Sequence, residues 1–194
     1  MPKSKSDGAW QRMLSGRRLN LLDPSPLDIE IEDIAHGLAR VARWNGQTRG
    51  PHAFSVAQHC MLVERLAVAA KPGLARDARL AALLHDAPEY VIGDLISPFK
   101  RAVGIDYKTL ELRLLAAIHI RFGLTPKVPE ALQRTIKKAD AAAAYFEATQ
   151  LAGFEPSEAK RFFGEPDLPH KRLDPWGPVE AQQRFLKRFA ELVG

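Results

Sequence analysis

One cysteine, Cys60, stands in a chain of 194 residues, so no internal disulfide can brace the fold. No apolar run approaches the roughly 18 residues that a membrane-spanning helix needs. A charged start followed by an apolar segment, the mark of a secretory leader, is missing as well. A reducing cytoplasm is therefore the expected setting. Glycine never falls in the spacing that cradles phosphates, which excludes a nucleotide loop of that kind. Sustained two-residue alternation is also absent, so strands are not expected, and no segment repeats.

What is present is enough for one solid core. With 46% hydrophobic and 26% charged residues, the composition fits a single globular domain. The net charge of +5 allows an anionic partner without requiring one. Part of it gathers near the N-terminus in Lys3, Lys5, Arg12, Arg17 and Arg18. Only Trp10 interleaves with those cations, so a solvated tail is expected there in preference to a nucleic-acid surface.

Residues 1–27 mix Gly, Ser, Pro and basic side chains without periodicity and read as an irregular N-terminal arm, ahead of one domain over 28–194. From Asp28 the pattern turns helical, with Ile31, Ile34, Leu38 and Val41 on one face, and the breakers after Arg43-Trp44 should end it. Further helices are expected from about Phe54 to the Lys71-Pro72-Gly73 turn, over Asp77 to His85, over Tyr107 to Phe122 and from Pro129 to Leu151. Pro88, Gly93 and Pro98 interrupt the segment between Ala87 and Lys100. A Pro-rich stretch from Gly164 to Pro178 predicts a surface loop. Val179, Phe185, Leu186, Phe189 and Leu192 then mark the apolar stripe of a last helix. The fold class is all-α, a helical bundle.

The apolar run Leu80-Ala-Ala-Leu-Leu leads straight into His85 and Asp86. Burying those two polar groups unpaired would be costly, so something must compensate them. Imidazole nitrogen and carboxylate oxygen both bind divalent metals, and His59 and Asp140, on neighbouring helices, would complete a two-His, two-Asp set around one cation. Such a set is harder than a cysteine-rich zinc site and favours manganese, cobalt, magnesium or a similar ion. An isolated His-Asp doublet is more often a helix-end hydrogen bond. The four residues together are a far stronger signal.

In their order, His then His-Asp then Asp, these residues resemble the ligands of the HD-domain metal-dependent phosphohydrolases. Three stretches carry the likeness: Ser55-Val-Ala-Gln-His59, Leu83-Leu-His-Asp-Ala-Pro-Glu89, and Ile136 to Tyr145 around Asp140. Within that family the chain looks most like the bacterial 5'-deoxynucleotidase branch. Arg43-Trp44 precedes the first histidine, and Glu89 is followed by Gly93-Asp94-Leu95 and Ser97-Pro98-Phe99-Lys100. The resemblance implies an HD-type helical bundle, phosphate contact by Arg43, and a sugar wall at Trp44. It also implies work beside the metal by Glu89 and Asp94, in water activation, leaving-group protonation or sugar contact. Lys100 is a further phosphate contact, and a homodimer is implied too. Gln58 stands where that branch carries an acid, which implies a weaker hold on His59.

Other side chains carry less. Cys60 reads as a small buried hydrophobe. His36 and His119 read as core or surface residues, His52 as a poor ligand beside Pro51, and His170 as exposed in the loop, so one metal is expected. The function expected is removal of the 5'-phosphate from a nucleoside monophosphate, most of all a deoxynucleotide. Hydrolysis of a nucleoside triphosphate or alarmone by the same core, and a non-catalytic nucleotide-binding regulator, are the alternatives.

Overall fold

The computed structural model of the chain describes residues 9–94, 107–168 and 172–194. Among these, a small hairpin of β1 (Trp10–Arg12) and β2 (Arg18–Asn20) precedes the helices. They are α1 (Ile31–Leu38), α2 (Val56–Ala70), α3 (Arg76–Leu83), α4 (Glu89–Ile92), α5 (Tyr107–Arg121), α6 (Glu130–Gln150), α7 (Pro156–Phe163) and α8 (Pro178–Val193). The architecture is all-α, as the sequence predicts. No helix among the described residues is long and apolar enough to cross a membrane.

Helix α2 is the axis of the bundle. Ser55 starts it, its hydroxyl accepting from the Gln58 N–H at 3.3 Å. Nearly every side chain from Val56 to Ala67 is then buried, so the helix is covered by α3, α6 and α8. Ala57, Cys60 and Met61 join one half of the core, with Ile34, Leu38, Leu83, Phe185 and Phe189. Leu62, Val63 and Leu66 join the other, with Phe54, Ala139, Ala143 and Phe146. Each buried Leu or Phe contributes about 1.5–3 kcal/mol, so α2 is fixed by packing on two fronts. Helix α1 meets α4 across Gly37, where a Cβ would come within 2.8 Å of Tyr90. That close approach sets where Glu89 lies.

Three segments depart from the sequence reading. The first is the N-terminal stretch, which is not irregular throughout. Its strands pair in the register Gln11↔Leu19, Leu19 is fully buried, and the Ser15 N–H and hydroxyl both donate to Asp33, at 3.0 and 2.5 Å. Strands of three residues are too short to display alternation, so the pattern could not reveal them. The second is the helix expected from Asp28 to Trp44, which spans only Ile31–Leu38; Arg43–Gly46 form a separate 3₁₀ turn. The third is α7, a short helix that the sequence pattern does not announce between the Gly and Pro residues that flank it.

Candidate metal centre

Two helix ends and one helix centre converge on one point. His59 comes from the first turn of α2, His85 and Asp86 from the turn that ends α3, and Asp140 from the middle of α6. Ligand atoms of His59, His85 and Asp140 lie within 4.8 Å of one another. Asp86 Oδ2 is 3.4 Å from His59 Nε2 and 3.2 Å from His85 Nε2, and Asp140 Oδ1 is 3.3 Å from His59 Nε2. Four ligands at about 2.1 Å from a tetrahedral ion would stand about 3.4 Å apart, so these separations suit a cation. The His59 side chain is wholly buried, whereas Asp86 is 22% and Asp140 44% exposed. The cluster therefore opens to solvent on its carboxylate side.

Both imidazoles are oriented from behind. His59 Nδ1–H donates to Glu147 Oε1 at 2.6 Å, and His85 Nδ1–H donates to the Ala82 carbonyl at 2.9 Å. With Nδ1 committed, each buried Nε2 is left facing a carboxylate oxygen, His59 toward Asp86 and Asp140 and His85 toward Asp86, where either a proton or a cation can sit between them. That is the arrangement a metal ligand needs, and Asp86 lies against both Nε2 atoms. The protein's own charges show the strain of the cluster. Burial presses the His59 pKa down, as does Arg43, yet Glu147, Asp140 and Asp86 together hold it well above the ordinary value. His85 is likewise raised by Asp86 against burial, while the two histidines hold Asp86 well below the usual carboxylate range. Without a cation, protons take the cation's place.

Glu147, which the sequence reading does not single out, organises the site. It lies seven residues after Asp140, two helical turns along the same face, among Ala143, Ala144, Phe146 and Ala148. A fully buried acid in that apolar run is the available signal, since it must find partners. Its Oε1 holds His59, and its Oε2 accepts from Trp44 Nε1 at 2.9 Å and Arg43 Nε at 3.3 Å. The carboxyl is kept ionised by His59 and Arg43 despite burial.

Arg43 and Trp44 therefore sit beside the metal ligands. Arg43 Nη1 donates to Asp94 Oδ2 at 3.0 Å, leaving Nη2 without a partner among the described residues. Trp44 and Asn45 adopt left-handed backbone, with φ of 56° and 50°, an unfavourable conformation for bulky residues that the Trp44–Glu147 bond and ring packing offset. The ring meets Phe154 at 5.5 Å and Phe163 at 5.9 Å. Glu89 is buried at the start of α4, its N–H donating to the Asp86 carbonyl at 3.0 Å. Cys60, whose thiol is pushed up chiefly by burial, feels the charges of both Asp86 and Glu89. Lys100 and His170 lie outside the described residues. His119 is buried against the Thr125 carbonyl at 3.1 Å, and His52 packs near Gly177; neither belongs to the cluster.

Gln58 does not touch His59. Its Nε2 donates to the Asp174 carbonyl at 2.7 Å and its Oε1 accepts from Trp176 N–H at 3.0 Å. The expected weakening of His59 does not follow, because the acid that orients the ring comes from α6.

Comparison with solved structures places this architecture. The cyanophage S-2L HD phosphohydrolase DatZ, bound to dA and one catalytic Zn2+ ion, superposes with a TM-score of 0.50 at 22% identity, covering 85% of this chain and 96% of that one. The chain thus has the HD-domain fold, the class that its His, His-Asp, Asp order indicated. The uncharacterized protein RCAP_rcc00048 of Rhodobacter capsulatus is 63% identical over 159 residues, covering 82% of this chain and 81% of that one. The uncharacterized protein YfdR of Escherichia coli K12 is 31% identical over 165 residues, covering 85% of each. The chain belongs to one family with these two bacterial proteins. No family model matches it.

Proposed function

We propose that the protein is a metal-dependent phosphohydrolase that removes the 5'-phosphate from a deoxynucleoside monophosphate. The observation that carries this reading is the convergence of two aimed imidazole Nε2 atoms and two half-open carboxylates beside a tethered arginine. When bound by His59, His85, Asp86 and Asp140, a divalent cation supplies Lewis-acid stabilisation of phosphoryl charge and makes water acidic enough to act near neutral pH. Manganese, cobalt, magnesium or a similar ion fits that donor set, and the zinc of DatZ adds zinc to the candidates.

The chain's own groups would divide the remaining work. Arg43, fixed at Nε by Glu147 and at Nη1 by Asp94, keeps Nη2 for a phosphoryl oxygen. An arginine held this way loses little freedom when it engages the substrate. Glu89 is assigned proton transfer at the attacking water, and Asp94 leaving-group protonation or sugar contact, as the resemblance to 5'-deoxynucleotidases implies. Lys100 is assigned to phosphate on the same ground. Trp44 offers a rigid wall beside the site because Glu147, Phe154 and Phe163 immobilise its ring. The dA bound by DatZ supports a nucleoside pocket next to the metal. A homodimer and a cytoplasmic setting belong to the same proposal.

A product-resolved screen of nucleotides against several divalent ions, run beside Asp86→Ala, tests the reading. Inorganic phosphate from 5'-deoxynucleoside monophosphates is expected, with at least about 100-fold loss in the variant and retained helicity. Release of triphosphate with monophosphates left intact would instead support the triphosphate hydrolase. A folded, metal-loaded protein that turns over no nucleotide would leave the non-catalytic regulator.

A further inference from the structure

Across α2 from the metal ligands lies a cleft of about 600 Å³, lined by Met61, Glu64 and Arg65 of α2, Arg184, Lys187 and Arg188 of α8, with Trp176 at one end. Four cations and two acids, Glu64 and Glu191, share it. The acids are already engaged. Glu64, fully buried, holds Arg188 at 2.7 Å and Arg79 at 3.0 Å, and Glu191 holds Arg188 at 2.8 Å. Arg65 and Lys187 have no hydrogen bond or ion pair among the described residues. Partial burial pushes the Arg65 pKa down, and Arg188 and Arg184 add to that against the pull of Glu64. Two cations without a direct partner among the described residues, crowded among others in a concave site, form an arrangement that an anion would complete.

Shape narrows the anion. A volume of about 600 Å³ lies in the range that small-molecule ligands occupy, larger than a lone phosphate needs. At one wall the Arg184 guanidinium lies 4.2 Å from the Trp176 ring centroid, which makes a flat cationic surface of the kind on which a base can stack. We propose that this cleft binds a nucleoside phosphate, with Arg65 and Lys187 on the phosphates and the Arg184–Trp176 pair beside the base, at a site separate from the metal centre. The Trp176 backbone N–H donates to Gln58 Oε1 at 3.0 Å, which fixes the loop end that carries this ring against α2.

The inference goes beyond the proposed activity and is tested without it. Titrate the full-length protein with ATP, pyrophosphate and adenosine in EDTA, which keeps the metal centre empty, following Trp176 fluorescence with Trp176→Phe as the blank and calorimetry in parallel. ATP should bind at micromolar to sub-millimolar concentration, weaken with salt, and lose at least tenfold in affinity in Arg65→Ala/Lys187→Ala, while Asp86→Ala binds it normally. Both side chains are exposed and make no hydrogen bond or ion pair among the described residues, so a melting curve unchanged from wild type certifies the variant. Pyrophosphate binding more weakly than ATP is the expected order. Binding of adenosine as tight as ATP, ATP binding that the double variant leaves intact, or no binding at millimolar ATP would each overturn the assignment. A single-stranded oligonucleotide binding far tighter than ATP would overturn it in favour of a nucleic-acid surface.

Discussion

Replacing Glu147 with glutamine keeps the shape of the side chain and removes only its charge and one acceptor. In the native site every neighbour of this carboxylate is a donor: His59 Nδ1–H on Oε1, and Trp44 Nε1–H with Arg43 Nε–H on Oε2. A glutamine NH2 must therefore face a donor whichever way the amide turns. Either His59 loses the bond that fixes its tautomer, or Trp44 and Arg43 lose theirs. Loss of such a partner behind a metal-binding histidine costs about 10–100-fold in metal affinity, or about 1.4–2.7 kcal/mol. With free metal well above Kd, that loss is subtracted from the stabilisation the metal gives. For a chain of this size it lowers the metal-induced rise in Tm by about 3–11 °C. The metal-free variant should also be less stable, because Arg43 keeps only Asp94 as a partner. Comparing melts with metal and with EDTA separates the two effects. A metal-induced increment equal to wild type within about 1 °C would refute the role given to Glu147.

Metal uptake near neutral pH should release protons, because His59 and His85 are held well above the ordinary histidine pKa in the metal-free protein. The sign is fixed: raised folded-state values stabilise the metal-free protein fully below about 6.5, lose that stabilisation as pH rises through the raised values, and make metal affinity climb over the same window. Calorimetry in buffers of different ionisation enthalpy measures it, and no proton release would contradict the assignment. Trp44→Phe keeps the ring contacts with Phe154 and Phe163 but leaves Glu147 Oε2 with one donor fewer, so it should destabilise by about 1–3 kcal/mol and alter KM for nucleotides more than metal affinity. Equal loss of metal binding would mean that Trp44 supports His59 instead. Gln58→Glu should loosen the 172–177 segment and cost about 1–3 kcal/mol, since a buried carboxylate would face the Asp174 carbonyl; tighter metal binding in this variant would argue that an acid at 58 does reach His59.

The helix pattern and all four proposed ligands are readable because their signals are local. Helical periodicity marks α2, α5, α6 and α8 directly, and a His-Asp doublet at the end of an apolar run announces itself. Arg43-Trp44 is readable as a pair but not as a shape. Asn45-Gly46 marks a turn, but the left-handed backbone of Trp44 has no sequence signature, and it is imposed by long-range contacts, Arg43 N–H to the Phe54 carbonyl and Trp44 to Glu147. The hairpin escapes the pattern for a related reason. Its stability comes from Leu19 in the core, Asp33 on Ser15, and Arg18 stacked 4.2 Å from Trp10, none of which a three-residue pattern can display.

Gln58 and Glu147 together show how the site holds His59 with no acid at position 58. Orienting His59 requires one buried acceptor behind Nδ1, and nothing in the chemistry specifies which helix provides it. An acid at position 58 would sit on α2 beside the ligand. Here the acid sits on α6, on the face that also carries Asp140, so one helix supplies both a proposed ligand and the group that aims another. Two consequences follow from that placement. The same carboxylate can reach Trp44 and Arg43, tying the proposed phosphate contact to the proposed metal ligand in one buried network. Position 58 carries an amide whose donor and acceptor both engage the C-terminal loop, which a carboxylate could not do. The loop that closes over α2 is thereby fastened next to His59, and the charge that a glutamate at 58 would have brought into the core is placed once, at Glu147, where an arginine and a histidine balance it.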